Sequence, residues 1–183
     1  MADEPVPGAR LVVPSAAVHE AWARLAAGVQ GYVDRGPCVL IGVLLGGVVP
    51  LVNIAVRLRG DFLLDYCHLT RYRGGLRGGT IEWVQRPQQS LHGKTVVLVD
   101  DVFDEGHTLA ELRRYCTGAG AAQVVVAVLV RKRHPRAVAD LEPDLVGVEA
   151  GDEYLFGCGM DYRGRWRHLD AIYALPNAPA QPR

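Results

Sequence analysis

Apolar residues fall along this chain in two periods. From residue 15 onward Val18, Trp22, Leu25 and Val29 recur at helical spacing, which predicts a helix capped by Ser15 and closed by Gly36-Pro37. Residues 38–45 are a continuous apolar run, read as a strand, and Gly46-Gly47 make a tight turn after it. A second helix is predicted over 48–58, with Pro50 in its first turn, where a missing N–H breaks no helical bond. Residues 62–72 read as a strand, 74–79 as a flexible glycine-rich loop, and 80–84 as the returning partner. Residues 96–99 and 123–130 are again apolar without alternation, the pattern of strands buried on both faces. The order of elements therefore predicts an α/β fold with a mainly parallel sheet. No repeat or linker divides the chain, so residues 1–175 are expected to form one domain, followed by a disordered Pro/Ala-rich tail at 176–183.

The most informative stretch is 96–108. Its apolar run ends in Asp100 and Asp101, Asp104 follows three residues later, and Gly106 and Thr108 open a segment with Leu109, Leu112 and Cys116 at helical spacing. That order places acids at the carboxyl end of a parallel strand and backbone N–H groups at a helix start. Two neighbouring carboxylates can accept hydrogen bonds from the adjacent hydroxyls of a ribose. The turn of Glu105, Gly106, His107 and Thr108 can surround one phosphate, with Gly106 supplying backbone freedom. A lone Asp-Asp pair reads better as a solvated loop; with the strand, the third acid, the glycine and the threonine, the segment reads as a site for a phosphorylated sugar.

Residues 97–108 resemble the signature of the type I phosphoribosyltransferases, enzymes that use 5-phosphoribosyl-1-pyrophosphate. Over roughly residues 37–175 the chain is most similar to the hypoxanthine-guanine branch of that family. The resemblance implies a type I phosphoribosyltransferase fold: a mainly parallel twisted sheet flanked by helices, with a small hood formed by parts of the N- and C-terminal segments, about 145–170. It also implies purine salvage through Mg2+-dependent transfer of the phosphoribosyl group to N9 of hypoxanthine, guanine or xanthine, with release of pyrophosphate. Asp104 then corresponds to the carboxylate beside purine N7, the general base or proton-holding partner. Magnesium would be reached by Asp161, Asp100 or Asp101, directly or through water.

Three more segments carry the resemblance. Leu44-Leu45-Gly46-Gly47 is similar to the family's pyrophosphate loop, although the family often has lysine where Leu45 stands; taken alone it reads equally well as a strand-to-helix turn needing glycine. In the basic run 131–136, Lys132 corresponds to the lysine that donates to the exocyclic oxygen at purine position 6, and Arg136 to an arginine near pyrophosphate. Taken alone, that run reads better as a solvated basic turn. Residues 152–169 resemble the purine-binding hood. Tyr154 is matched to the base-stacking aromatic, the Leu155 main chain to the contact with the purine edge, Asp161 to a group near magnesium or the guanine amino group, and Arg167 to a pyrophosphate contact. The bland alternative makes Tyr154 a core aromatic and Asp161 a turn residue. Two positions depart from the family pattern: Glu105 replaces a common threonine in the phosphate loop, and Arg71-Tyr72 replaces Ser-Tyr in the mobile loop.

Charge and composition narrow the partners. Lys plus Arg and Asp plus Glu balance at 20 each, so bulk charge argues against nucleic acid or a membrane surface as partner. Cys38, Cys67, Cys116 and Cys158 lie far apart with no metal-ligand spacing, which predicts buried thiols. No signal peptide or bilayer-length apolar stretch is visible, and a cytoplasmic location is expected. The expected partners are a purine base and phosphoribosyl pyrophosphate, in a homodimer or homotetramer. Two rivals stand beside this reading. One is a pyrimidine-type phosphoribosyltransferase or RNA-binding regulator of the same fold. The other is a non-catalytic ligand-sensing domain.

Overall fold

The computed structural model describes residues 6–72, 80–136 and 141–175. The glycine-rich loop at 74–79 and the tail at 176–183 lie outside the described residues, and for Arg71 and Tyr72 only the backbone is described. In chain order the elements are β1 (Arg10–Val13), α1 (Ser15–Val33), β2 (Cys38–Leu44), α2 (Val48–Ala55), β3 (Leu63–Tyr72), β4 (Thr80–Gln85), β5 (Thr95–Phe103), α3 (His107–Gly118), β6 (Gln123–Lys132), β7 (Leu145–Ala150), β8 (Tyr154–Phe156) and β9 (Ile172–Leu175).

Six strands form one sheet in the order β4-β3-β2-β5-β6-β7, and only the β3–β4 pair is antiparallel. This is the type I phosphoribosyltransferase arrangement of a mainly parallel sheet between helices. The uninterrupted apolar strands are explained by cover on both faces. Leu40, Val97, Val99 and Leu129 pack on one side with Trp22 and Leu25 of α1 and Ile54 of α2; Val39, Ile41, Leu98 and Val128 pack on the other with Leu109, Leu112 and Cys116 of α3. After β2 the chain moves outward to β3, whereas after β5 it moves the opposite way to β6. The order of strands thus reverses between β2 and β5, and a crevice opens beyond their carboxyl ends. The segments after β2 and β5 both begin there.

A second, antiparallel sheet in the order β1-β9-β8 forms the hood, so its strands come from both ends of the chain. Leu145–Ala150, which the sequence reading placed in the hood, is instead the edge strand β7 of the large sheet, parallel to β6. Only Gly147 and Ala150 of it are buried, as befits an edge strand with one neighbour.

Other boundaries move for local reasons. Pro14, not Ser15, is the N-cap of α1, and the Ser15 hydroxyl pairs with Asp170 at 2.8 Å. Helix α2 stops at Ala55 rather than 58 because Arg57 and Leu58 donate to the carbonyls three residues back, which tightens the last turn. Strand β5 continues past the acids to Phe103, since β6 runs alongside as far as Lys132. All four cysteines are buried and unbridged, as expected, and burial pushes the Cys38 thiol up to about 11 and those of Cys116 and Cys158 to about 12. No described helix is long and apolar enough to cross a membrane.

Candidate active site

Two glycines separate β2 from α2, and each answers a different demand. A methyl group at Gly47 would stand 2.6 Å from the carbonyl oxygens of both Val43 and Val99, so the turn can pack on β2 and β5 only without a side chain. A methyl group at Gly46 would instead stand 2.1 Å from Asp101 Oδ2. Gly47 therefore serves packing, while Gly46 lets the loop approach an acid of β5. Leu45, joined to Leu44 by a cis peptide bond, is largely exposed beside them.

Strict alternation along β5 breaks at the aspartates. Val99 and Val102 lie three residues apart yet join the same core cluster, and the register with β6 runs from Asp100↔Val128 to Val102↔Val130. Asp100 and Asp101 are both buried, and each is oriented by the next backbone group. The Asp101 N–H donates to Asp100 Oδ1 at 2.9 Å and the Val102 N–H to Asp101 Oδ1 at 2.7 Å. Their neighbours differ. Asp100 lies close enough to Cys67 of β3 to help raise that thiol's pKa, whereas Asp101 faces Gly46 and, through its Cβ, the hood at Gly159.

After Phe103 the chain turns at Asp104 to Gly106. Gly106 takes φ +82°, a left-handed conformation that glycine adopts freely, and it caps α3. No side chain caps this helix start, so its first N–H groups and dipole face the crevice. The Glu105 side chain stands 3.5 Å from His107 Nε2 and 3.8 Å from the Arg136 guanidinium and is 40 % exposed, so it is turned toward basic partners.

The densest group of charges lies where β6 ends. Asp104 Oδ2 accepts from Lys132 Nζ at 3.2 Å and its Oδ1 pairs with His134 Nε2 at 2.6 Å; the Lys132 and His134 side chains are almost fully buried. Arg136 grips Asp152 with two hydrogen bonds of 2.6 Å, which holds the Asp152 carboxyl below its ordinary range and raises the guanidinium further. Arg131 pairs with Glu142 at 2.8 Å and Arg133 with Glu149 at 2.7 Å. Each cation of the run 131–136 thus has a carboxylate beside it. The ligand atoms of Asp104, His134 and Asp152 fall within 4.8 Å of one another, but a metal there would have to displace Lys132 and Arg136.

In the hood, Arg167 donates to the Gly159 carbonyl and to Asp161 Oδ1, both at 2.6 Å, while the Gly164 N–H donates to Asp161 Oδ2 at 2.7 Å. Tyr154 is buried edge-on against Tyr162 with ring centres 5.6 Å apart, and burial, then the Asp161 charge, raises its hydroxyl pKa. Leu155 is fully buried.

The sequence profile of the phosphoribosyl transferase domain matches residues 14–163. The chain belongs to that family. It is a pentosyltransferase similar to proteins named hypoxanthine-guanine phosphoribosyltransferase. That of Aquifex aeolicus is 30% identical over 80% of this chain and 82% of its own length, and that of Staphylococcus epidermidis is 29% identical over 80% and 81%. Among solved structures, the hypoxanthine phosphoribosyltransferase of Staphylococcus aureus superposes with a TM-score of 0.84 at 23% identity, covering 91% of this chain and 90% of its own. That of Trypanosoma cruzi gives a TM-score of 0.85 at 23% identity, covering 94% of both chains.

In this phosphoribosyltransferase fold, Gly46, Gly47, Asp100, Asp101, Asp104, the 105–108 turn and Lys132 all lie at the carboxyl ends of β2, β5 and β6. The hood reaches them at Gly159. Arg136 and Arg167 are committed to Asp152 and Asp161, and Tyr154 to the hood interior. The residue that sequence reasoning passed over is His134. It stands two residues beyond Lys132 in a run read only for its charge, and nothing in that run indicates that its ring turns inward.

Proposed function

We propose that the chain transfers the phosphoribosyl group of 5-phosphoribosyl-1-pyrophosphate to N9 of hypoxanthine or guanine, and of xanthine to an extent the test below measures. The observation that carries this reading is the Asp104–Lys132 pair, its lysine buried, which stands beside the uncapped α3 start at the ends of β5 and β6. A base placed against that pair meets a carboxylate for its N7 proton and an ammonium for an oxygen at position 6. Adenine carries a donor at position 6 and is disfavoured there.

The turn of Glu105, Gly106, His107 and Thr108 binds the 5′-phosphate through backbone N–H groups, and Asp100 and Asp101 hold the ribose hydroxyls. The N–H groups at Leu45 to Gly47, with Arg136 and Arg167, meet pyrophosphate once those arginines exchange their present carboxylate partners. Tyr154 and the Leu155 main chain border the base, and Arg71 and Tyr72, which are the last residues of β3 rather than loop residues, stand where the loop that covers the site begins. As the pyrophosphate leaves, C1 of the ribose gains oxocarbenium character, so these groups act by stabilising the leaving anion and excluding water. Asp100, Asp101 and Asp161 offer hard carboxylate oxygens, a donor set that suits Mg2+. The ion would neutralise pyrophosphate charge.

A homodimer or homotetramer is supported by α2 and its C-cap, which expose Val48, Val52 and Val56, and by the exposed Leu64 and Tyr66 of β3. The paired basic run speaks against an RNA-binding regulator, because its cations are already matched by carboxylates.

Turnover on a panel of hypoxanthine, guanine, xanthine and adenine tests the reading. Hypoxanthine and guanine should be converted, and adenine should lose roughly 1–3 kcal/mol of transition-state binding. Equal turnover of adenine and guanine would overturn the role of Lys132.

A further inference from the structure

The reaction described above assigns nothing to His134, although its side chain is only 2 % exposed and touches the proposed base. Its two ring nitrogens face partners of defined sense. The Arg136 backbone N–H donates to Nδ1 at 3.1 Å. A nitrogen that accepts carries no proton, and a neutral imidazole has one donor and one acceptor, so the proton sits on Nε2, 2.6 Å from Asp104 Oδ1. The backbone of the turn thereby fixes the tautomer.

We propose that His134 is a positioning residue for phosphoribosyl transfer: a neutral Nε2–H donor that occupies Oδ1 of Asp104 and leaves Oδ2 as the oxygen that takes the purine proton. This rests on the reading of Asp104 as the base. In the structure Oδ2 is held by Lys132, the same ammonium that is to turn toward the purine oxygen. When it turns, His134 keeps a donor on the carboxylate and holds its orientation. The purine N7–H bond then breaks, its electron pair stays on the ring and makes N9 nucleophilic, and an O–H bond forms at Oδ2. Asp104 becomes a neutral acid whose Oδ1 still accepts from His134. No proton passes to the imidazole, whose Nε2 already bears one. The other charged groups around the pair are Arg136, 4.0 Å from Asp104 Oδ1, then Asp152 beyond β7, and Glu105 with His107 at the start of α3.

Two measurements on the full chain test this. In long-range proton–nitrogen spectra of 15N-histidine protein under the conditions of the turnover assay, assigned with His134→Gln, the His134 ring should carry its one proton on Nε2. A Nδ1–H ring or an imidazolium under those conditions overturns the proposal. The second measurement is the pH profile of kcat and kcat/KM for hypoxanthine. His134→Ala should lower kcat about tenfold, with KM for phosphoribosyl pyrophosphate within about threefold. It should also move the acid limb of kcat/KM upward by about one pH unit, because a lost donor disfavours the carboxylate. His134→Gln, whose amide can donate, should recover most of both effects. An unmoved acid limb in His134→Ala, or a glutamine no better than alanine, overturns the role. Absence of purine turnover by the unaltered chain would overturn the functional reading and this role together, whereas a wrong tautomer in an active chain overturns the role alone.

Discussion

Strands β5 and β6 end side by side, and their ends are built on opposite principles. Beyond β5 the working groups are main-chain: a glycine at positive φ and the uncapped start of α3. Beyond β6 they are side chains in close ion pairs, with Lys132 and His134 buried against Asp104 and Arg136 locked to Asp152. A backbone site tolerates a changed side chain but not a changed backbone angle. Where the pair is buried, as Lys132 and His134 are on Asp104, the site tolerates neither partner's loss, since a buried charge left alone costs several kcal/mol. The departure from the family pattern at Glu105 falls on the tolerant side of that division.

The largest expected effect is at the junction of the two ends. Asp104→Asn should lower turnover about 10²–10⁴-fold while substrate binding changes far less, because a base acts chiefly in the transition state. Single-turnover rates beside binding isotherms check this. A maximal rate near that of the unaltered chain, with chemistry rate-limiting, would remove Asp104 from any proton role.

Next comes the backbone site itself. Gly106→Val puts a β-branched residue at φ +82°, and should weaken phosphoribosyl pyrophosphate binding by at least the roughly 1–3 kcal/mol that such a conformation costs. Glu105→Thr, beside it, should change that affinity by less than about 1 kcal/mol, since the glutamate faces His107 and Arg136. Calorimetric isotherms for both variants sharpen the comparison, and tight binding in Gly106→Val would mean that this turn is not the phosphate site.

The contrast also explains what could be read from the sequence. Main-chain sites announce themselves locally: an apolar run, acids, a glycine and a helix start stand in order within 96–108, and the structure keeps that order. The continuous apolar strands likewise gave the two-faced sheet. Side-chain sites depend on partners far along the chain. Asp104 meets His134 thirty residues on, and Arg136 meets Asp152 across β7, so a run that looked like a solvated basic turn is an interlocked one. The hood strands were hard to see for a different reason. They are three or four residues long, and β1 pairs with β9 across nearly the whole chain, Arg10 with Ala174 for example, so no local period marks them.

Between the two ends, Gly47 offers a smaller and purely structural test. Gly47→Ala drives a methyl group into two carbonyl oxygens that belong to strands and cannot rotate away, which should cost about 1–3 kcal/mol. For a chain of this size that is a fall of roughly 2–12 °C in Tm, read by thermal denaturation. An unchanged Tm would show that the β2–α2 turn can shift, and that the loop is not held by close packing.

The smallest effect belongs to the Arg136–Asp152 pair, because both side chains are more than a third exposed and solvent screens them. Asp152→Asn should cost less than about 1 kcal/mol at neutral pH, despite two short hydrogen bonds. The sign of its pH dependence follows from the lowered Asp152 pKa. The carboxylate is held in its charged form in the folded chain, so its stabilisation is complete above the ordinary carboxylate range and is lost as the pH falls through the lower folded value. Denaturant midpoints of the two proteins should therefore differ slightly at neutral pH and converge in acid. A difference that persists below the carboxylate range would mean that Asp152 acts through packing rather than charge, and the β6 end would then be less of an ion-pair site than its geometry implies.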